Sequence, residues 1–468
     1  MDRSIRHPTR TPVPPGVELL RAAGWAVALG VFACAGSGSR NTQDMGNLSD
    51  PAQNGGREGG GRGGAGGSPG ADADTVSGPI GGKTGAPMAD AAGGDLAGSD
   101  VGGPGPGAAP DVPPPAPSEP LTAASLRARI GQAPVDGGFA LPDYWVWGSS
   151  VVKGDDGLYH MFVSRWTKRL PFHPGWMLAS EIAHATSPTP EGPYTFRDVA
   201  LPPRGAQYWD GRSTHNPKIV RYKDQYILFY MGSTHPYDVD SLDVGALGPN
   251  STWARLARSN KRVGVAVAPS PFGPWTRPDR PSLNTKDDTF YSFLTSNPTP
   301  WIEADGSTWL AFKARAKQAA DPFYTGMTIG VARAPHFTGP YTVVGDEPIF
   351  GRDRSQEVED PFIWKDAAGF HMLAKDQRGG VSGQQHAGVM AHSPDGTKWT
   401  FDKPALAYTK TIHWSDGRQQ VMGQLERVFG LLQNGTLTHL FFAGMDGPGG
   451  FANGTKTWNL VVRINPTP

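Results

Sequence analysis

Four carboxylates stand where this sequence could use them for proton chemistry. Glu359, Asp360 and Glu426 open two copies of a repeated strand pattern, in Glu359-Asp360-Pro361 and Glu426-Arg427. Asp210 lies in Tyr208-Trp209-Asp210-Gly211-Arg212, just ahead of His215-Asn216-Pro217. Carboxyl groups held close together raise one another's pKa, so one can keep a proton while its neighbour is ionised at neutral pH. Such a pair can protonate a leaving oxygen and activate water. The condition is that the acids share a solvent-reached well and are not buried in ion pairs away from water.

The elements that must position these acids form an internal repeat. Five segments share apolar residues, a short polar turn and an aromatic-rich run: Ser149–Ser164, Asn216–Gly232, Asn297–Ala314, Glu359–Lys375 and Glu426–Gly444. Each reads as a β-hairpin, with turns such as Asp155-Asp156-Gly157, Asp305-Gly306 and Asn434-Gly435. A second pattern, an apolar strand followed by a Pro/Gly turn and Tyr or Trp, follows the first four at Glu181–Phe196, Arg262–Thr276, Thr328–Val343 and Gly388–Phe401. The lone strand Trp458–Ile464 follows the fifth. Two hairpins make a four-stranded blade, and five blades in series predict an all-β, five-bladed β-propeller over residues 121–468. The fifth blade is one strand short, and Phe139–Val146 is expected to help complete it.

Turns within the hairpins are short, whereas the connections at the other end, such as Arg165–Ser180 and Ser233–Lys261, are long. Long loops on a rigid scaffold are where binding and chemistry concentrate, so the working face is the one where each innermost strand begins. Trp147, Arg165, Trp166, His173, Trp209, Arg378 and Trp414 fall in or beside those connections, and His215, Asn216, Asn297 and Arg427 at strand starts. Indole faces and multidentate polar side chains suit stacking on, and hydrogen bonding to, sugar rings.

The alternation of (D/N)-P-x-(I/V) openings, as in Asn216-Pro217, Asn297-Pro298 and Asp360-Pro361, with GP(Y/W) turns resembles the five-bladed propeller glycoside hydrolases of families 43, 32, 68, 62, 117 and 130. The resemblance spans roughly residues 139–468 and implies a glycosidase, family 43-like, acting on an oligo- or polysaccharide as a monomer. Family 43 enzymes open blades one, two and three with a base Asp, a modulating Asp and an acid Glu. Here those positions are Gly148, Asn216 and Asn297, and acids appear instead in blades four and five. The resemblance therefore points to Glu426 or Glu359 as acid and to Asp360 or Asp210 as base. Separation of the carboxyls, about 5–5.5 Å or about 6.5–9.5 Å, would decide retention or inversion. A phosphorylase or transglycosylase on the same scaffold, with Lys375, Arg378 and Arg427 for phosphate, is one alternative; a non-catalytic carbohydrate-binding propeller is another. No cofactor is implied, and no ligand spacing marks a metal, although some relatives hold calcium in the axial channel.

Composition narrows the rest. Lys and Arg number 43 against 43 Asp and Glu, which excludes the basic footprint of a nucleic-acid binder. No Walker loop, His-Glu-x-x-His or G-x-S-x-G motif is present in the sequence. Residues 1–34 read as an export signal, with Arg3, Arg6 and Arg10 ahead of the apolar run Ala22–Ala33. That run ends in Val31-Phe32-Ala33-Cys34, similar to a bacterial lipobox, with Cys34, the sole cysteine, as the lipidated residue. Residues 35–120 lack Phe, Trp and Tyr and are rich in Gly and Pro, the composition of a disordered linker. The expectation is an exported protein, secreted or held on the cell envelope, meeting the membrane only through an N-terminal lipid.

Overall fold

The computed structural model describes residues 121–466 apart from 249, 250 and 321. The expected signal, Cys34 and the linker lie outside the described residues. The remainder is the all-β, five-bladed propeller that the repeat implies. Blade one is β1 (Tyr144–Lys153), β2 (Tyr159–Thr167), β3 (Glu181–Ser187) and β4 (Thr195–Leu201). Blade two is β5 (Ser213–Tyr222), β6 (Gln225–Ser233) and β7 (Arg262–Ala268). Blade three is β8 (Leu294–Ile302), β9 (Thr308–Arg315), β10 (Thr328–Ala334) and β11 (Thr342–Val343). Blade four is β12 (Val358–Asp366), β13 (Gly369–Asp376), β14 (Gly388–Ser393) and β15 (Thr400–Tyr408). After a ribbon of β16 (Thr411–His413) and β17 (Gln419–Val421), blade five is β18 (Gln424–Gln433), β19 (Thr436–Met445) and β20 (Thr457–Arg463).

All pairings within the blades are antiparallel, and the innermost strands β1, β5, β8, β12 and β18 touch in a closed circle. The inner strands have both faces covered by neighbouring blades, so they read as continuous apolar runs. Tyr226–Met231 of β6 is buried throughout, whereas the outermost β4 is exposed or half-buried up to its last residue, the buried Leu201. Apolar clusters fill the seams: Phe162, Tyr226 and Tyr230 between blades one and two, Phe229, Phe290 and Phe312 between two and three. The third strands of blades two, three and four carry a glycine under an aromatic ring. Cβ atoms at Gly264, Gly330 and Gly388 would fall 2.3, 2.8 and 2.0 Å from atoms of Trp209, Phe290 and Tyr408.

Closure of blade five differs in part from expectation. Phe139 does bridge Asn459 of β20, but residues from Tyr144 onward belong to β1. The N-terminal segment contributes further. Helix α1 (Ala123–Arg129) is capped by Thr122, Arg127 donates to the Leu406 carbonyl (2.6 Å), and Ile130 bridges Ile464. Two helices that the strand pattern does not announce, α2 (Phe172–Ala179) and α3 (Thr252–Ser259), occupy the long connections of blades one and two. Among the described residues no helix is long and apolar enough to cross a membrane.

Candidate active site at the propeller axis

Every innermost strand is interrupted at the same place. Gly148, Asn216, Asn297, Asp360 and Arg427 have φ of 40, 51, 49, 61 and 56°, and the register of each hairpin slips there. Glycine enters this left-handed region without strain and Asn and Asp tolerate it, but Arg427 is a bulky outlier held by its surroundings. The bulge turns five side-chain positions towards the axis. Asn216 Nδ2 donates to Asn297 Oδ1 (2.7 Å), Asn297 donates to Asp360, and Arg427 donates to the same Asp360 oxygen. At Gly148 a Cβ would stand 2.8 Å from Asn216 Oδ1 and 3.4 Å from Arg427 Cγ, so the missing side chain of blade one makes room for the long one of blade five. The hydrogen bonds run as an open chain from Asn216 through Asn297 and Asp360 to Arg427, and with Gly148 these five positions form a ring of residues around the axis.

One step earlier on each strand are Trp147, His215, Ser296, Glu359 and Glu426. Four of these, all but Ser296, line a pocket of about 270 Å3 above the ring. Lys313 lies opposite Ser296 and Lys375 opposite Glu359 in the ladder, so both ammonium groups enter the pocket from second strands. Glu359 accepts from Lys313 and, at 3.4 Å, from Lys375; Glu426 accepts from Lys375. One ammonium thus touches both acids, which keeps the facing oxygens within roughly 7 Å, twice hydrogen-bonding reach. Burial opposes ionisation of Glu359, but Lys313, Lys375 and Arg427 outweigh it and hold the carboxyl well below the usual range.

The walls come from the connections. Phe172, His173 and Trp176 of α2, Arg258 of α3, Lys261 and Arg315 all face the pocket. The backbone of α2 is extended at His173, which turns its ring inward. Trp176 Nε1 donates to His173 Nδ1 (2.8 Å), and the Trp176 ring stacks on His215 at 5.0 Å. Burial, aided by Arg258 and Lys261, lowers the His173 pKa to about 3. His215 is likewise held neutral by burial and by Arg427, Lys261 and Lys313, with Nδ1 on Ser180 Oγ (2.8 Å). Among the described residues no cluster of three or more His, Cys, Asp or Glu could hold a metal ion.

The pocket brings together Glu359, Glu426, Trp147, His173, His215 and Arg427 of the expected site. Asp360, Asn216 and Asn297 lie in the ring and do not line it. The remaining expectations are corrected. Asp210 is fully buried in blade two, accepting from Arg204 Nε (2.7 Å), Tyr230 OH (2.7 Å) and Arg277 (3.5 Å), so it braces the blade and reaches no water. Trp209 covers Gly232 and Gly264 and stacks on Tyr230. Trp166 is buried among Leu170, Phe172 and Met177, and Trp414 packs in the blade-five cluster and donates to Gln420 (3.2 Å). Arg165 pairs with Glu181 (2.8 Å) between the rings of Tyr144 and Phe196. Arg378 pairs with Glu357 (2.9 Å) outside the pocket. Arg258, Lys261, Lys313, Arg315 and Tyr324 were not expected; the legible signal was a lysine amid buried strand residues in Ala311-Phe312-Lys313-Ala314 and Leu373-Ala374-Lys375.

No protein-family model matches the sequence, and no curated protein matches it. Solved structures do. An RGII complex of BT0996 has a TM-score of 0.53 at 13% identity, covering 72% of this chain and 93% of its own. Another structure, described only as a glycoside hydrolase, has a TM-score of 0.53 at 12% identity, covering 74% and 95%. Zg3597, a family 117 glycoside hydrolase from the marine bacterium Zobellia galactanivorans, is 18% identical over 71% of this chain and 88% of its own, with a TM-score of 0.49. At such identities the likeness is one of fold. The chain has the five-bladed β-propeller fold seen among glycoside hydrolases, with no single family assigned.

Proposed function

We propose that the protein is a glycoside hydrolase that accepts one sugar unit of an oligo- or polysaccharide in the axial pocket. The observation that carries this reading is the meeting of Glu359 and Glu426 on one pocket around the shared Lys375. Glu359, kept ionised by two lysines, suits the role of base. Glu426, which lies across Lys375 from Glu359, is the carboxyl left for the role of acid. The glycosidic C–O bond breaks as Glu426 gives its proton to the departing oxygen. Water joins its oxygen to the anomeric carbon and passes a proton to Glu359. The volume of about 270 Å3 lies at the small end of ligand pockets, which matches a single ring.

A second reading is favoured by one observation: both carboxylates are engaged by lysines. That arrangement also suits a propeller that binds carbohydrate without turning it over. A glycan screen with wild type, Glu359→Gln and Glu426→Gln separates the two. The hydrolase reading expects product from wild type and a fall of about 10²–10⁴-fold in kcat for each variant, with unchanged circular dichroism. Wild-type rates in both variants would remove these residues from the reaction, and binding with no product from any glycan would establish the second reading.

A further inference from the structure

The pocket is lined by six cationic side chains, Arg258, Lys261, Lys313, Arg315, Lys375 and Arg427, against two carboxylates, Glu359 and Glu426. The acids account for Lys313 and Lys375, and Asp360 of the ring accounts for Arg427. Arg258, Lys261 and Arg315 have no carboxylate within ion-pair distance among the described residues. Arg258 donates to Tyr324 OH, and Arg315 to the Thr325 carbonyl (2.7 Å). Among the described residues the Lys261 ammonium has only the Trp176 ring, 4.8 Å from its centroid, although the residue is 3% exposed. Isolated buried cations are costly, and this one is surrounded by others. Burial, then Lys313, Arg258, Arg315 and Arg427, push the Lys261 ammonium well below its ordinary pKa.

A second contact is equally unsatisfied. Since His173 Nδ1 accepts from Trp176, the neutral ring carries its proton on Nε2, and Nε2 stands 3.2 Å from the Arg258 guanidinium. Two donors face each other, and a group accepting from both would relieve the contact. Trp147, Phe172 and Phe451 line the same pocket and give a sugar ring an apolar wall while an acidic substituent meets the cations.

Resting on the hydrolase or binding reading of this pocket, we infer that Arg258, Lys261 and Arg315 form an oxyanion subsite, so that the sugar ring entering the pocket carries a carboxylate or a sulfate ester. The substrate class is then an acidic saccharide.

The test is titration calorimetry on the full chain with glucuronate, galacturonate, a sulfated galactose, the matching neutral sugars and inorganic phosphate, followed by Lys261→Met. At least one acidic sugar should bind about tenfold or more tightly than its neutral counterpart, and Lys261→Met should erase that preference. Lys261→Met should also melt at a higher temperature than wild type in the absence of ligand, since it removes a buried, repelled charge; this readout confirms that the variant is folded. Equal binding of acidic and neutral sugars, or an undiminished preference in Lys261→Met, would overturn the inference. Phosphate binding with no acidic-sugar preference would overturn it too, assigning the oxyanion to a free ion and phosphorolysis. Cleavage of a neutral glycoside without acid preference sinks this inference alone, whereas tight acidic-sugar binding without cleavage sinks hydrolysis and leaves the subsite standing.

Discussion

Lys375 and Asp210 show how differently two charged residues of one propeller can be used. Lys375 reaches the pocket from β13 and touches both candidate acids, while Asp210 is fully buried and encircled by Arg204, Arg277 and Tyr230. Removing one partner of a buried ion cluster leaves the others uncompensated, at about 3–5 kcal/mol. Asp210→Asn should therefore lower the free energy of unfolding by about that amount in a urea titration, while kcat of the folded fraction stays at the wild-type value. A large loss of kcat with unchanged stability would return Asp210 to the catalytic set. Glu359 and Glu426 were legible in the sequence because each opens a repeated strand. Asp210 was misread because a carboxylate between aromatics and glycine looks the same whether it faces a ligand or two arginines. Lys261 and Arg258 follow no repeat at all, lying in a long connection whose path depends on contacts made elsewhere in the fold.

At the scale of the strand, the left-handed bulge is the device that builds the site. It places one residue of each blade in the ring and the preceding one on the pocket or beside it. The five hairpins were readable from periodicity, and so were the Asn-Pro and Asp-Pro openings. The bulge itself was not, since Gly148 and Arg427 break the motif in opposite directions and only their proximity explains both. Gly148→Ala tests this pairing. A methyl group at φ 40° would meet Asn216 Oδ1 at 2.8 Å and crowd Arg427. The left-handed conformation alone costs an L-residue about 1–2 kcal/mol, so unfolding should become easier by at least that much. The same substitution at Gly157, also at positive φ but with nothing within 4 Å, should cost no more than the conformational part. Equal losses at the two sites would show that blade one does not make room for Arg427.

Across the whole molecule the buried histidines set the response to acid. Burial lowers His173 to about 3 and His184 to about 4, and His215 lies well below its ordinary value. In the unfolded chain each titrates near 6.5. Between those values the unfolded chain takes up protons that the folded one refuses. Stability is therefore undiminished above about pH 6.5 and is lost as pH falls towards about 4, by up to ~1.4 kcal/mol per pH unit for each histidine. Thermal melts across that interval should show a declining midpoint well before carboxylates of ordinary pKa begin to titrate. A flat profile down to about pH 4.5 would mean that these imidazoles reach solvent.

The ring of five axial residues lies between two cavities that share no lining residue: the charged pocket and a larger, carboxylate-free recess of about 580 Å3 at the far end of the axis. On the proposed reading the pocket is then a blind well. No saccharide then passes along the axis from one face of the propeller to the other, and whatever enters the pocket leaves by the same mouth.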